Sequence, residues 1–478
     1  MAKLVISKFS GGIGEGLKVG AEGSFYFGKR LDIYQDPNSF TILPKTVKVS
    51  GTTVDALVKW IVPGTPHDTN KYFYAENGKI FQETSAGAWS SLRTVASSVG
   101  QGLEVSNDYL YYTQNTQIGR YGPLSSSPTF TDNWQTGLND TSTTKYAPIK
   151  ATPGGGLVVG HGNKISYWDG ATWTLARLTL PAGLHVRAIE VVDEYIIFGT
   201  WRGTAITDNN EGYAFYWDEA AETFNFVAPL PAGGINALIN FDNQLLTVGG
   251  SKGDIYLGSS PFQKIKRIPL VGPSKYMEVL PGAVTNYQGF ACIGTSGNTD
   301  STTLIQGVYF WGYPGPIPDC LNYAHTISTG TETGTTLKIG ALKGIGNALY
   351  IGWRDGSTYG VDKVLPTNDP YASATYEALI YDAKNPGDDK RVDLLKATHR
   401  GIAANESVQL GHKINRTTSY TTDTANSTAD TIETRMNINN GLFSELQGEV
   451  ILVTTTTTAP TVTSLSILYD PLESETSY

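Results

Sequence analysis

Two cysteines in 478 residues, Cys292 and Cys320, are too few for a disulfide scaffold. Cys292 lies in an apolar run, where a free thiol behaves as a small buried hydrophobe. The six histidines (His67, His161, His185, His325, His399 and His412) show no HExxH and no i,i+4 pairing, so no local metal motif exists. GxSxG, P-loop and CxxC patterns are missing as well. Charge is low at 17% and the net value is −9, which leaves no basic stripe to displace phosphate counterions and disfavours broad nucleic-acid binding. No apolar run approaches the roughly 18 residues of a membrane helix. No amphipathic helix longer than about three turns passes the 3.6-residue test. Met1 to Ser7 holds too short an apolar core for a secretory signal, so the expectation is synthesis in the cytoplasm of the producing cell. These absences assign no catalytic, cofactor-binding or metal-binding residue, and the expectation is a protein that is not an enzyme.

Glycine (53) and tyrosine (27) are abundant, which suits short strands joined by tight turns. Gly156 to Trp173, GLVVGHGNKISYWDGATW, sets the pattern. Leu157-Val158-Val159 ends at Gly160, a turn follows, Lys164 to Trp168 alternates polar with apolar, and Asp169-Gly170 signals a hairpin into a third strand. One such meander cannot hide both faces and needs neighbours of its own kind. Similar pairs recur: Tyr195 to Gly199 before Tyr213 to Asp218, Leu245 to Gly249 before Asp254 to Leu257, Phe290 to Gly294 before Gly307 to Trp311, and Leu349 to Gly352 before Thr358 to Val361. Two copies without the central glycine precede them, Tyr72-Phe73-Tyr74 with Ile80-Phe81 and Leu110-Tyr111-Tyr112 with Gln117-Ile118. The spacing of about 40 to 60 residues is that of a four-stranded propeller blade.

The predicted fold is therefore all-β: a β-propeller of seven blades, with six and eight left open, followed by a C-terminal β-sandwich. Residues 1–50 read as an extended arm that either completes the last blade or binds a neighbouring subunit, 51–372 as the propeller, and 373–478 as the sandwich. In the sandwich, Val392, Leu394 and Ala397 share one candidate strand, and Val408, Leu410, His412 and Ile414 alternate in the next.

Several local patterns invite chemistry and read better as structure. Ser166 to Trp173 partly resembles the Asp-box turn of sialidase-like propellers, but its Asp and Gly are adjacent, and that motif is a turn in any case. Asp208-Asn209-Asn210-Glu211-Gly212 offers oxygens without the alternating ligands and late carboxylate of a calcium loop. Asp193-Glu194 and Asp218-Glu219 are sequence neighbours whose side chains diverge, unlike paired glycosidase carboxylates. Trp168, Trp173, Trp201, Trp217, Trp311 and Trp353 could stack on sugars if exposed, although blade aromatics usually belong to the core.

With these elements in place, the segment LDIYQDPNSFTILPKTVK, the propeller, and the C-terminal TYEALIYDAKNPGDDKRVDLLKATHRG, NESVQLGHKI and GEVILVTTTTTAPTVTSLSILY together resemble structural proteins of tailed bacteriophages, in particular nozzle and tail-accessory proteins. The resemblance implies a virion tail component forming part of an oligomeric ring that extends the tail channel. Its implied partners are further copies of itself, other tail proteins, and the genomic DNA passing through the channel; host-receptor contact is also implied at a tail tip. It brings no catalytic residue. The N-terminal arm and the Thr454 to Thr458 edge are candidates for pairing across subunits. Like-charge repulsion of DNA predicts that acidic groups outnumber basic ones along a central channel. A glycan-binding tail protein and a glycan-cleaving propeller enzyme are the alternatives.

Overall fold

The computed structural model describes residues 2–14, 16–18, 22–51, 54–93, 99–138, 146–203, 211–258, 261–268, 275–297, 304–312, 320–384 and 388–471. Among them every regular element longer than a turn is a β-strand. The chain divides into two compact units: one holds Met1–Lys45, Tyr309–His325 and Leu365–Tyr478, the other Thr46–Val308 and Thr326–Val364.

The second unit is a β-propeller. Five consecutive stretches each fold into a four-stranded antiparallel meander, the first being Val58–Pro63, Lys71–Ala75, Ile80–Glu83 and Trp89–Arg93. The third is the stretch from which the repeat was read: Ile149–Ala151, Leu157–His161, Lys164–Trp168 and Trp173–Thr179. Its turns follow from residue type. Asp169 accepts hydrogen bonds from the N–H groups of Ala171 (2.8 Å) and Thr172 (2.7 Å), and Gly170 takes a positive φ of 99°. Glu278–Tyr287 then pairs with Phe290–Ser296. Lys338–Ile345, Ala348–Asp355 and Thr358–Val364 form the last sheet, whose outer strand is Val47–Lys48. Of the segment read as an arm, Val47–Lys48 thus completes the final sheet, while Met1–Lys45 belongs to the other unit.

The first strand of each sheet packs beside the first strand of the next. Val58–Pro63 lies against Gly100–Ser106, the run continues through Ile149–Ala151, Leu184–Val192, Ile235–Phe241, Glu278–Tyr287 and Lys338–Ile345, and that last strand packs on Val58–Pro63 again. The recurring glycines make this approach possible. A Cβ on Gly160 would sit 2.3 Å from Val186, on Gly199 2.6 Å from Ile235, on Gly294 2.4 Å from Ile339, and on Gly352 2.9 Å from the Val58 carbonyl. At the first junction the glycine is on the other side: a Cβ on Gly100 would lie 2.1 Å from the Ala75 carbonyl.

In the other unit, Ala2–Ile6, Val462–Pro471, Lys390–His399 and Glu433–Phe443 form one sheet in that order. A second sheet runs Cys320–His325, Phe27–Lys29, Ser373–Glu377, Leu446–Thr454, Glu406–Ile414 and Thr421–Thr422. Phe40 stacks on Tyr376 at 4.9 Å, with Phe9 edge-on to both at 4.8 and 5.4 Å. Val392, Leu394 and Ala397 do share one strand, Lys390–His399. A bulge between Val392 and Leu394 shifts the register, so Leu395 is fully buried and Leu394 only partly. Of the alternating set, Val408, Leu410 and His412 are buried and Ile414 only partly so.

Candidate functional site

The axis of the propeller is lined by the first strand of each sheet, and each of six such strands carries a bulge or register shift. The shifts fall between Val58 and Trp60, Gly100 and Gly102, Val186 and Ala188, Ile235 and Ala237, Val279 and Val284, and Ile339 and Ala341. The skipped residues include Lys59, Gln101, Arg187 and Asn236, all buried. A bulge re-aims a side chain and breaks the two-residue alternation.

At this level Tyr146 receives two cations, Lys59 at 4.4 Å and Arg187 at 4.6 Å from its ring, and Arg187 also lies 3.6 Å from the Trp201 ring centre. Arg187 reaches Glu278 at 3.5 Å and the Val279 carbonyl at 3.4 Å, and Lys338 meets Glu278 at 2.9 Å. Burial works against the Glu278 charge, but Lys338 and Arg187 outweigh it and hold the carboxyl below its ordinary range. Arg187→Met keeps most of the apolar stem and deletes the charge, leaving Glu278 with one cation, the Trp201 ring with none and Tyr146 with Lys59 alone. The expected cost is about 2 kcal/mol, read as a shift in urea midpoint. A change within experimental error would show that the cluster does not fix the sheets.

Past the bulges the axis holds a cavity of about 110 Å³. Its wall includes Ile61, Leu103, Ile149, Ile189, Leu238 and Leu342, and four charged residues, Glu104, Lys150, Glu190 and Lys343, line it too. Lys150 pairs with Glu190 at 2.9 Å. Burial opposes the charge on Lys150, yet Glu190 and Glu104 hold its ammonium above the ordinary lysine range. Burial pushes the Glu104 carboxyl up, with Lys150 and Lys343 pulling the other way. Burial and the nearby Lys150 push Lys343 down. Two acids face two bases, so the expected acidic excess does not hold on this axis. The cavity is also far too small for a duplex, whose major groove alone is about 12 Å wide.

The structure gives the other sequence candidates plain positions. Trp217, Trp311 and Trp353 are fully buried and Trp201 is 5% exposed, so none of these offers a ring to a sugar. Trp168 and Trp173 are partly buried around Trp134 at 5.3 and 5.6 Å. Asp218 caps its own turn through the N–H groups of Ala220 and Ala221. Glu219 turns the other way, accepting from Thr152 at 2.8 Å, the Gly154 N–H at 2.9 Å and Tyr167 at 2.9 Å. Of the calcium-loop candidate, Asp208 to Asn210 lie outside the described residues, and Glu211 is taken up by Arg202 and Tyr213. Burial holds His161 down to about 4 and His325 to about 3, so both are neutral core residues at neutral pH. Among the described residues no three His, Cys, Asp or Glu side chains are grouped to hold a metal ion. No described helix is long and apolar enough to cross a membrane. The axial residues escaped the sequence reading because their strands carry the bulges; the detectable signal was the polar residue standing just before each short apolar stretch, as in Lys59, Gln101 and Arg187.

No family model matches the chain, and no curated protein matches it in sequence. Similar folds occur among solved structures. The U3-55K structure is 14% identical and covers 67% of this chain and 99% of its own, with a TM-score of 0.46. The RRP9 WD40 repeats are 14% identical over 68% and 99%, at 0.47. The Cps50 (Swd1) β-propeller domain of Myceliophteria thermophila is 10% identical over 67% and 99%, at 0.45. At such identities and scores the likeness assigns no function.

Proposed function

We propose that this chain is a non-enzymatic structural subunit of a tailed-bacteriophage virion tail, with a seven-bladed propeller joined to a β-sandwich, and that it acts in an oligomeric ring. The observation that carries the scaffold reading is the circle of seven first strands around a narrow, charge-balanced axis. A polysaccharide cannot enter a 110 Å³ cavity, which argues against a glycan-cleaving site there. The two sheets of the other unit support the sandwich, to which the N-terminal segment contributes Ala2–Ile6 and Phe27–Lys29. Placement in a phage tail rests on the resemblance of residues 31–48 and 375–469. DNA then travels between copies in the ring, because one propeller offers it no passage.

Native mass measurement tests the assembly. The expected result is a discrete multiple of 51.5 kDa, with rings visible by electron microscopy and the chain present in purified particles. A strict monomer absent from particles would reject the proposal. A monomer that binds a glycan array would favour the receptor-binding alternative.

A further inference from the structure

We propose that the axial cavity binds a small zwitterion of the α-amino-acid class, its ammonium on Glu104 and its carboxylate on Lys343. This goes beyond the structural role and does not depend on it. The size argument comes first. A single water needs about 10–15 Å³ of such space and drug-sized ligands need about 300 Å³ or more, so 110 Å³ suits a molecule of a few heavy atoms.

The charge arrangement then selects the class. Lys150 and Glu190 satisfy each other at 2.9 Å. Glu104 and Lys343 line the same cavity with opposite charge and feel each other's field, but neither is in an ion pair within 4 Å; Glu104 accepts a hydrogen bond from the Val105 backbone. Burial disfavours the ionised form of both. A simple anion would satisfy only the lysine, and a simple cation only the glutamate. A molecule bearing both charges relieves both groups at once.

Calorimetric and ligand-observed NMR titrations of the full chain with glycine and alanine test this, with acetate and methylammonium as single-charge probes and leucine as the size probe. The expected result is saturable binding of glycine or alanine with a dissociation constant of about 1 mM, at least about tenfold tighter than either single-charge probe or leucine. Glu104→Gln and Lys343→Met should each weaken it by about tenfold or more, while Glu377→Gln, in the other unit, leaves it unchanged. Absence of saturable binding in the unsubstituted protein overturns the proposal, whatever the variants do. So does acetate or leucine binding as well as alanine, or unaltered affinity in folded Glu104→Gln and Lys343→Met.

Discussion

Gly160→Val is expected to destabilise the propeller by about 3 kcal/mol, a large fraction of an ordinary total stability of about 5–15 kcal/mol. Gly160 needs no unusual backbone angle; its lack of a side chain is what matters. A Cβ there would stand 2.3 Å from one γ-methyl of Val186, 2.6 Å from its Cβ and 3.0 Å from the other γ-methyl. Val186 is fully buried and branched at Cβ, so it cannot swing aside, and relief requires two sheets to move apart. The pair Gly160→Ala and Val186→Ala makes the test specific. Each single change should be costly, the first by overpacking and the second by leaving a cavity, and the double variant should recover part of the loss. Urea midpoints of the four proteins measure the coupling. Strict additivity, or a Gly160→Val midpoint equal to that of the unsubstituted protein, would refute the close approach. Gly170 supplies the contrast: nothing lies within 4 Å of a Cβ there, so Gly170→Ala acts only through its positive φ and should cost about 1 kcal/mol.

Glu449→Gln is expected to stabilise the unit that holds the C-terminal strands by about 3 kcal/mol at pH 8 and by almost nothing at pH 4.5. Glu377 and Glu449 face each other directly across two antiparallel strands, and Glu449 is 8% exposed. Burial, and then the charge on Glu377, push the Glu449 carboxyl up to about 7, against the pull of Lys413. Glu377 is itself pushed up by burial, although Tyr420 donates to it at 2.9 Å. Lys413 lies over the Tyr420 ring at 4.0 Å, so the whole group sits on neighbouring strands and the segment after them. A carboxyl with a higher pKa folded than unfolded binds its proton more tightly in the folded state. Its stability contribution is complete below about 4.5 and is lost as pH rises through 7.

The unsubstituted protein will not show this cleanly. His325, in the same unit, is held neutral by burial at about 3, so its contribution is present above 6.5 and lost as pH falls. Glu445, held down to about 2 by Arg416 and Lys18, acts below 4.5 in that same sense. The difference between Glu449→Gln and the unsubstituted chain cancels both. Unfolding followed from pH 4.5 to 8.5 should give a difference that grows from about 4.5 to 7 and levels off above that. A flat difference would remove the acid pair as the source.

The particular residues show why some of this was legible in advance. Leu157 to Val159, Lys164 to Trp168 and their kin are unbulged second and third strands, so alternation and turn residues mark them directly. The first strands were not singled out, because one extra residue at Lys59, Gln101 or Arg187 destroys the two-residue period on which strand recognition depends. The same effect puts Leu395, not Leu394, in the core beside Val392 and Ala397. The tryptophans were equally readable as core or as sugar platforms, since a stacking ring and a packing ring have the same chemistry until a neighbour covers one. Val47–Lys48 joining Thr358–Val364, more than 300 positions away, was one of two readings left open for the arm, because no local pattern decides between them.

The chain's own order of residues determined the class of structure and the repeat length, because these depend on neighbours within one hairpin or on a period. Which side chains meet on the axis, how their charges balance, and which acid finds another acid opposite it were decided only by tertiary packing. Those pairings join residues from separate sheets, and electrostatic energy depends on distance and burial that no linear spacing encodes.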